Sequence, residues 1–239
     1  HIVIDGGSKD GTLDLLDYYK KKGWIDKIIS EKDRGIYSAL NKGVILANGD
    51  YINIMNTDDY LIDDNYFEKT IKVFLDKSLS FVYSDKIIKS RNGEEGTIKK
   101  SDERIAFFRM PFRHQTMVVR KSVFSKFGLF NEKYKIAADY EYVLKMILAN
   151  EKGKKISGNV LVSLSGGVSS DRVLCIKEVS NVLYESYGKS YGLNINDCEK
   201  IYSRRFSLYF LIKMLIKIKN NKIRNSIMFC YLDRFYHLV

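Results

Sequence analysis

The fold is decided by the stretch Tyr51-Ile52-Asn53-Ile54-Met55-Asn56-Thr57-Asp58-Asp59-Tyr60, in which an apolar run ends abruptly in two adjacent carboxylates. Short apolar runs are typical of the buried strands of α/β proteins, whose ligands bind at the carboxyl ends of the strands. Two carboxylates there repel each other unless a cation joins them, and oxygen ligands suit Mg²⁺ or Mn²⁺. We therefore expect Asp58 and Asp59 to bind a metal that holds a diphosphate. The alternative is a strand-to-helix turn in which the acids only cap the helix.

The segments before this stretch alternate between strand and helix patterns. Residues 2–4 and 24–30 contain short apolar runs that predict strands, whereas residues 12–22 and 36–47 carry apolar side chains at helical spacing. The order strand, helix, strand, helix, strand is typical of α/β proteins. We therefore predict a mostly parallel, nucleotide-binding sheet that is flanked by helices.

The segments after the acidic pair continue this mixture and then change character. The predicted elements are, in chain order, a helix over 65–76, a strand over 81–85, a hairpin over 87–100 with its turn at Asn92-Gly93, a strand over 116–120, a helix over 140–150, a strand over 155–165 and a Gly/Ser loop over 166–170. From residue 171 the pattern is helical to the end. We therefore predict an α/β domain over 1–170 and a helical, basic region over 171–239.

Composition narrows the class of protein. The chain has 239 residues, of which 45% are hydrophobic and 29% are charged, as is ordinary for a globular protein and unlike a disordered one. The three cysteines are scattered and form no zinc or redox motif, which favours a reducing cytoplasm. The run at residues 2–4 resembles a strand in mid-sheet, so we expect part of the natural N-terminus to be absent. We find no signal peptide and no apolar run long enough to span a membrane.

The positive charge is concentrated near the C-terminus. The net charge is +11, and residues 201–239 hold eight basic residues against one acid. Over 204–224 a helical pattern places apolar residues on one face, namely Leu208, Leu211, Ile212, Leu215 and Ile218. Basic amphipathic helices suit an anionic membrane surface, which would place the protein peripherally on the inner face of the cell membrane. The alternative is a helix that packs on the domain and leaves its basic face in water. No nucleic-acid motif accompanies the charge, so no nucleic-acid partner is expected.

Two turns near the start of the chain carry candidate nucleotide contacts. Asp5 follows the first strand, and its carboxylate could accept a hydrogen bond from a nucleobase while Gly6 lets a ligand approach the backbone. The alternative is a local turn into a helix that Ser8 or Asp10 caps. In the second turn Asp33 precedes Arg34, whose guanidinium could contact a base or a phosphate. The alternative there is a solvated loop.

Two further candidates follow in the second half of the chain. His114 lies just after the only proline and before Gln115, in a polar patch between apolar runs, although a lone histidine is more often packed or exposed. Asp139 opens a predicted helix, where it can serve as N-cap. A helix N-terminus also keeps a carboxylate ionised, as a general base must be, so both roles can hold together.

Several runs together resemble the family 2 glycosyltransferases with the GT-A fold, within them most closely the bacterial enzymes that build surface polysaccharides. The runs are 3–12 (VIDGGSKDGT), 33–43 (DRGIYSALNKG), 47–53 (ANGDYIN), 56–59 (NTDD), 111–115 (PFRHQ) and 138–141 (ADYE). The resemblance covers about residues 1–170. It implies a GT-A-like α/β fold with a helical C-terminal appendage.

The resemblance also implies roles for individual residues. Asp5, Gly6, Asp33, Arg34, Asn41 and Asp58 would bind the nucleotide sugar. Asp58 and Asp59 would hold Mn²⁺ or Mg²⁺, although Asn56 stands where the family has the first acid of its D-x-D motif. Asp139 would be the base that deprotonates an acceptor hydroxyl, and His114 and Gln115 would lie on the acceptor side. The family normally has a further strand and helix before the segment equivalent to His1.

We therefore expect an inverting, metal-assisted glycosyltransferase of polysaccharide biosynthesis. The donor is expected to be UDP-linked, and the acceptor a glycan or a lipid-linked sugar. One alternative is a non-glycosyl nucleotide-binding or nucleotidyl-transfer protein with a similar sheet. Another is a non-catalytic scaffold at a membrane surface, in which the acids are only caps.

Overall fold

The fold is known from a computed structural model that describes residues 1–57, 59–89, 96–164, 171–203 and 207–236. Its strands are β1 (Ile2–Asp5), β2 (Lys27–Ser30), β3 (Tyr51–Asn53), β4 (Asp59–Leu61), β5 (Leu79–Lys89), β6 (Thr97–Lys99), β7 (Val118–Arg120) and β8 (Lys152–Leu164). Its α-helices are α1 (Thr12–Lys21), α2 (Ile36–Leu46), α3 (Tyr66–Val73), α4 (Lys121–Phe127), α5 (Ala138–Leu148), α6 (Arg172–Leu183), α7 (Ile195–Ser203), α8 (Leu208–Lys217) and α9 (Asn221–Tyr236).

The first two strands form a small parallel pair that ends at two polar residues. Ile4 of β1 lies opposite Ile29 of β2, and Asp5 lies opposite Ser30. The connection between these strands contains α1, as parallel neighbours require. The strand ends therefore present a carboxylate and a hydroxyl side by side at one edge.

The larger sheet is mixed in direction. Its order is β3-β7-β5-β8-β4, with β6 paired to β5. Among the described strand pairs, β1 with β2 and β5 with β8 are parallel, whereas the other four pairs are antiparallel. The expectation of a mostly parallel sheet is corrected in this respect. Apolar periodicity predicts strands but not their direction, and the short connection from β5 to β6 can only form a hairpin.

Element boundaries also differ at the acidic stretch. The pattern indicated a polar turn there, but Asp59 is the first residue of β4 and pairs with Ser163 of β8. Three residues are too short a strand to produce a readable apolar alternation. The predicted turn at Asn92-Gly93 and the predicted loop over 166–170 lie outside the described residues.

One hydrophobic core joins the sheet to the C-terminal helices. Tyr140 of α5, Ile201 of α7 and Leu211 of α8 all belong to it. Tyr187, which follows α6, donates a hydrogen bond from its hydroxyl to the carbonyl oxygen of Phe107 at 2.7 Å. The helical region is therefore packed into the same core as the α/β part.

The apolar face of α8 is divided between this core and the surface. Leu211 and Ile218 are buried, which favours the packed-helix alternative for part of the predicted membrane face. Ile212 and Ile216 are exposed beside Lys213. Arg204 and Arg205 lie outside the described residues. Within the described part of the chain, no helix is both long and apolar enough to cross a membrane.

Candidate active site

Asp139 is the point at which three distant segments meet. It lies in the first turn of α5, and the hydroxyl of Tyr37 in α2 donates to its Oδ1 at 3.0 Å. Nδ1 of His114 lies 3.0 Å from its Oδ2, and the backbone N–H of Tyr140 donates to Oδ1 at 2.9 Å. The fold thus brings the predicted base against one of the two predicted acceptor-side residues.

A tight turn positions His114. The 3-10 turn His114–Thr116 precedes β7, and the hydroxyl of Thr116 donates to the carbonyl oxygens of Ser84 and Arg113. Asn53, at the end of β3, donates to the carbonyl oxygen of Gln115 at 3.0 Å. These bonds hold the turn against β5 and β3 and so fix the backbone position of His114.

The surroundings of Asp139 favour its ionised form. Burial by itself would raise the pKa of its carboxyl, but hydrogen bonds from His114 and Tyr37 outweigh burial and lower the pKa. Burial, followed by the charge of Asp139, raises the pKa of the Tyr37 phenol. Tyr37 is therefore a fixed hydrogen-bond donor, and Asp139 is a partly buried carboxylate that stays charged.

Two polar atoms next to this cluster lack partners. Nε2 of His114 and Oε1 of Gln115 are buried and accept or donate no hydrogen bond within the described residues. Buried polar atoms are nearly always paired, because an unpaired one costs about 1–3 kcal/mol. Both atoms therefore lack the partner that a buried polar atom usually has.

Asp5 is engaged by its own chain. Its carboxylate accepts hydrogen bonds from the N–H groups of Gly7 and Ser8 and from the hydroxyls of Ser8 and Ser30. These bonds, the one from Ser30 first, lower the pKa of Asp5 to about 2. The turn in the local-turn alternative thus describes the geometry, although the N-cap of α1 is Gly11 and neither Ser8 nor Asp10. Nucleobase binding stays a prediction for what remains of the acceptor capacity of Asp5.

Asp33 lies close to this turn. A Cβ atom on Gly6 would lie 3.9 Å from Oδ2 of Asp33, so the two predicted nucleotide contacts are neighbours. Nζ of Lys42 lies 2.6 Å from Oδ1 of Asp33 and 2.5 Å from a carboxylate oxygen of Glu31. Hydrogen bonds to Asp33 and then Glu31 raise the pKa of Lys42. The sequence analysis did not identify Lys42 as a site residue, because its position in α2 does not indicate a contact with Asp33.

Arg34 and Asn41 contact the segment before α5, at Glu132 and Phe130. Two nitrogens of the Arg34 guanidinium donate to Oε2 of Glu132, at 2.9 and 3.2 Å. The amide of Asn41 donates to the carbonyl oxygen of Phe130 at 3.0 Å and accepts from its N–H at 2.9 Å. Asn41 therefore fastens α2 to the loop before α5. Roles for either side chain in nucleotide binding stay predictions.

Of the two predicted metal ligands, Asp59 is the one that lies within the described residues. Its Oδ2 is buried and has no hydrogen-bond partner within the described residues, which fits a hard cation. The buried Lys86 has its pKa lowered to about 8 by burial and by Arg113, against the opposing charge of Asp59. Asp58 lies outside the described residues, and those described hold no group of three His, Cys, Asp or Glu side chains suited to a metal.

A glutamate of the helical region supports the segment that carries Asp139. Glu178 of α6 is buried, and its carboxylate accepts the N–H groups of Lys135, Ile136 and Ala137 at 2.8, 2.9 and 3.1 Å. These residues lead directly into α5. The motif analysis missed Glu178 and also Tyr37, because neither contact leaves a mark in local spacing.

Comparison with known proteins identifies relatives of this site. The family model described as "Glycosyl transferase family 2" matches residues 1–135, which end just before Asp139. A "PGL/p-HBAD biosynthesis glycosyltransferase" of Mycobacterium bovis is 29% identical over 146 residues, covering 60% of this chain and 56% of the relative. The "Chondroitin synthase" of Pasteurella multocida is 32% identical over 159 residues, covering 64% of this chain and 16% of the relative.

Solved structures show the same fold. The crystal structure of S. aureus TarS 1-349 in complex with UDP-GlcNAc aligns with a TM-score of 0.63 at 14% identity, covering 99% of this chain and 82% of that one. The mannosyltransferase PcManGT from Pyrobaculum calidifontis, in complex with GDP-Man and Mn²⁺, aligns with a TM-score of 0.57 at 13% identity, covering 98% and 65%. These likenesses confirm the predicted GT-A-like α/β fold with its C-terminal helical region.

The chain matches only part of the length of its relatives, which limits the properties of those relatives that can be assigned to it. The chain spans about half the length of the mycobacterial relatives, 56% of the one described. The family model nevertheless covers more than half of the 239 residues, including the runs around Asp5, Asp33, Asp59 and His114. The chain therefore belongs to glycosyl transferase family 2.

Proposed function

We propose that the protein transfers a sugar, with inversion, from a nucleotide-sugar donor to a hydroxyl group of an acceptor. The observation that carries this proposal is the ionised carboxylate of Asp139, which Tyr37 and His114 hold in a partly buried site on a family 2 scaffold. Related proteins in complex with UDP-GlcNAc and with GDP-Man support a nucleotide-sugar donor.

The reaction is a single displacement. The acceptor oxygen forms a bond to the anomeric carbon while the bond from that carbon to the diphosphate oxygen breaks, which inverts the configuration. The acceptor hydroxyl loses its proton to the carboxylate of Asp139, which is proposed to act as the general base. A nucleoside diphosphate leaves, and a bound Mn²⁺ or Mg²⁺ would offset the charge that develops on it.

The donor is proposed to bind at the ends of β1 and β2, and the acidic stretch that follows β3 is proposed to complete the site. Asp5, Gly6 and Asp33 stand together there, which supports a site for the nucleobase and ribose. Asp58 and Asp59 would hold the metal, with the unpaired Oδ2 of Asp59 as one ligand. Arg34 and Asn41, which the structure joins to the loop before α5, are proposed to flank this site.

The acceptor is proposed to be a glycan or a lipid-linked sugar of polysaccharide or glycolipid biosynthesis. The printed names of the mycobacterial and Pasteurella relatives support this class. His114 and Gln115 are proposed to face the acceptor, because His114 contacts Asp139 and both residues carry buried atoms without partners within the described residues.

A lipid-linked acceptor would be met at a membrane surface. We propose that the outer face of α8, with the exposed Ile212 and Ile216 beside Lys213, contacts anionic lipid. Co-sedimentation with vesicles of anionic lipid at low salt measures this contact. The Ile212→Ser/Ile216→Ser double variant is expected to bind more weakly, and wild-type protein that stays in the supernatant would remove the proposal.

The donor proposal is tested by titration calorimetry with a panel of UDP- and GDP-linked hexoses and N-acetylhexosamines. Each is measured with Mn²⁺, with Mg²⁺ and with EDTA, and transfer products are read by mass spectrometry. At least one donor is expected to bind in the presence of metal, and Asp59→Asn is expected to weaken it. Asp63→Asn, an acid that pairs with Lys69, is the matched control and should bind as wild type. If none of the donors binds with metal, the glycosyltransferase proposal fails.

A further inference from the structure

A large cavity lies between α5, α6 and the segment that precedes α5. Its volume is about 1090 Å³, and Lys133 of that segment, Lys145 of α5 and Lys177 of α6 all line it. Asp139 does not line it, so the cavity is separate from the site described above. Pockets for small molecules usually measure about 300–1,000 Å³. This cavity, here called the α5–α6 groove, therefore has room for an extended ligand.

The carboxylates that line the α5–α6 groove are largely engaged by the protein itself. Glu178 accepts three backbone N–H groups at 2.8, 2.9 and 3.1 Å. A carboxylate oxygen of Glu141 lies 2.8 Å from Nζ of Lys145, one turn further along α5. Glu185 is exposed and has no ion pair with any residue that the structure describes. The groove therefore presents one carboxylate that no cation or N–H group already occupies.

Three ammonium groups of the groove are free to meet a ligand. Lys133, Lys135 and Lys177 are exposed, and their side chains form no ion pair or hydrogen bond in the described parts of the chain. The first two come from the segment before α5 and the third from α6, so folding gathers like charges from two elements. Like charges repel, and an anion placed among them reverses this cost. Three free cations against one free carboxylate therefore favour an anionic ligand.

The uncharged side chains of the groove suit the hydroxyl groups of a sugar. Tyr134 is half-buried, and burial, followed by the charges of Glu141 and Glu185, raises the pKa of its phenol, so its hydroxyl keeps its proton. The amide of Asn181 and the hydroxyl of Ser186 also line the groove. Such groups both donate and accept hydrogen bonds, as the hydroxyls of a sugar do. A concave surface of this kind does not match a flat lipid bilayer.

We propose that the α5–α6 groove binds an anionic oligosaccharide, whose carboxylate or phosphate groups contact Lys133, Lys135 and Lys177. Such a chain would be an acceptor or a product of the enzyme, and in this respect the inference rests on the proposed glycosyl transfer. The bound chain touches the segment before α5 and also α6, the two elements that Glu178 joins. Its binding therefore steadies residues 135–137, which lead to Asp139.

Titration calorimetry without donor or metal measures this binding directly. The probes are a hyaluronan tetrasaccharide with carboxylates, a pentamannose phosphate, the neutral chitotetraose and inorganic phosphate. We expect one or both anionic oligosaccharides to bind at least tenfold more tightly than chitotetraose and inorganic phosphate, and to bind more weakly as salt is added. With that oligosaccharide bound, hydrogen exchange is expected to slow at residues 131–137 and in α6.

Two triple variants locate the binding. Lys133→Gln/Lys135→Gln/Lys177→Gln removes three positive charges from the groove, whereas glutamines at residues 20–22 remove three from exposed lysines at the end of α1. Exposed ion pairs each contribute about 1.5- to fivefold in affinity, so the groove variant should bind about tenfold more weakly. The α1 variant is the matched control for net charge and should stay within about twofold of wild type.

Each outcome supports or overturns the inference. If neither anionic oligosaccharide binds more tightly than chitotetraose, or if inorganic phosphate binds as tightly as they do, the inference is wrong. Equal losses in the two triple variants, or unchanged exchange at residues 131–137, would also contradict it, because binding would then follow net charge and not the groove. None of these results affects donor binding, which is measured with metal and without oligosaccharide. Failure of that separate measurement would instead refute the glycosyl-transfer proposal.

Discussion

Replacement of Glu178 tests how the helical region supports the catalytic segment. The carboxylate of Glu178 is buried and accepts three consecutive backbone N–H groups, from residues 135 to 137. Glu178→Gln keeps the size of the side chain but replaces one acceptor oxygen with an NH₂ group. That group cannot accept, so at least one of the three N–H groups loses its partner.

The expected magnitude follows from the number and type of bonds. A hydrogen bond to a charged group contributes about 1.5–3 kcal/mol, and an unpaired buried donor costs about 1–3 kcal/mol. Glu178→Gln should therefore lower the free energy of unfolding by about 2–3 kcal/mol, and Glu178→Ala by about 3–5 kcal/mol. Because residues 135–137 lead into α5, the same change should loosen the position of Asp139.

Urea denaturation measures the stability change, and hydrogen exchange at residues 135–137 locates it. Glu185→Gln, which removes the same charge from an exposed position seven residues later, is the matched control and should change little. In the transfer assay Glu178→Gln is expected to lower kcat more than it changes the donor KM. A Glu178→Gln variant within about 0.5 kcal/mol of wild type, with unchanged exchange at 135–137, would refute the reasoning.

Three further changes have defined outcomes. The pKa of Asp5 is lowered to about 2, so its contribution to stability is full above the ordinary carboxyl pKa and is lost as the pH falls toward 2. Asp5→Asn should therefore lower the free energy of unfolding by about 1–2 kcal/mol at pH 7. Urea titrations at several pH values should show this difference between variant and wild type vanish in acid. Asn41→Ala should cost roughly 2 kcal/mol in thermal or urea unfolding, because both of its buried bonds to Phe130 are lost. Arg34→Ala removes an exposed ion pair with Glu132, so calorimetric Tm should not change, while a weakened donor Kd would support its proposed contact.

Much of the fold could be predicted from local pattern. The alternation of strands and helices before Asp59, and the start of a helix near Asp139, follow from residue spacing. The predicted N-cap role of Asp139 is wrong, because the N-cap is Ala137 and Asp139 lies inside the first turn. The direction of the strands could not be predicted, because a β5–β7 pair and a β5–β8 pair look alike in sequence. Pairing direction depends on connections whose paths only the folded chain shows.

The site was predictable as separate residues rather than as a cluster. His114 and Asp139 are 25 residues apart, and Tyr37 and Asp139 are 102 apart, so no motif could record their contacts. The same holds for Glu178, which reaches back 41 to 43 residues. Conversely, Asn41 stood in a family-like run, yet the structure engages its amide with the backbone of Phe130.

The most direct test of the account is the rate of transfer by Asp139→Asn under conditions that saturate it with donor. Asparagine keeps the size of the side chain but removes the charge that orients His114 and drives deprotonation. With donor Kd unchanged, kcat should fall by about 10²–10⁴-fold relative to wild type. An Asp139→Asn variant that transfers sugar at the wild-type rate would contradict the central claim that this partly buried carboxylate drives the chemistry.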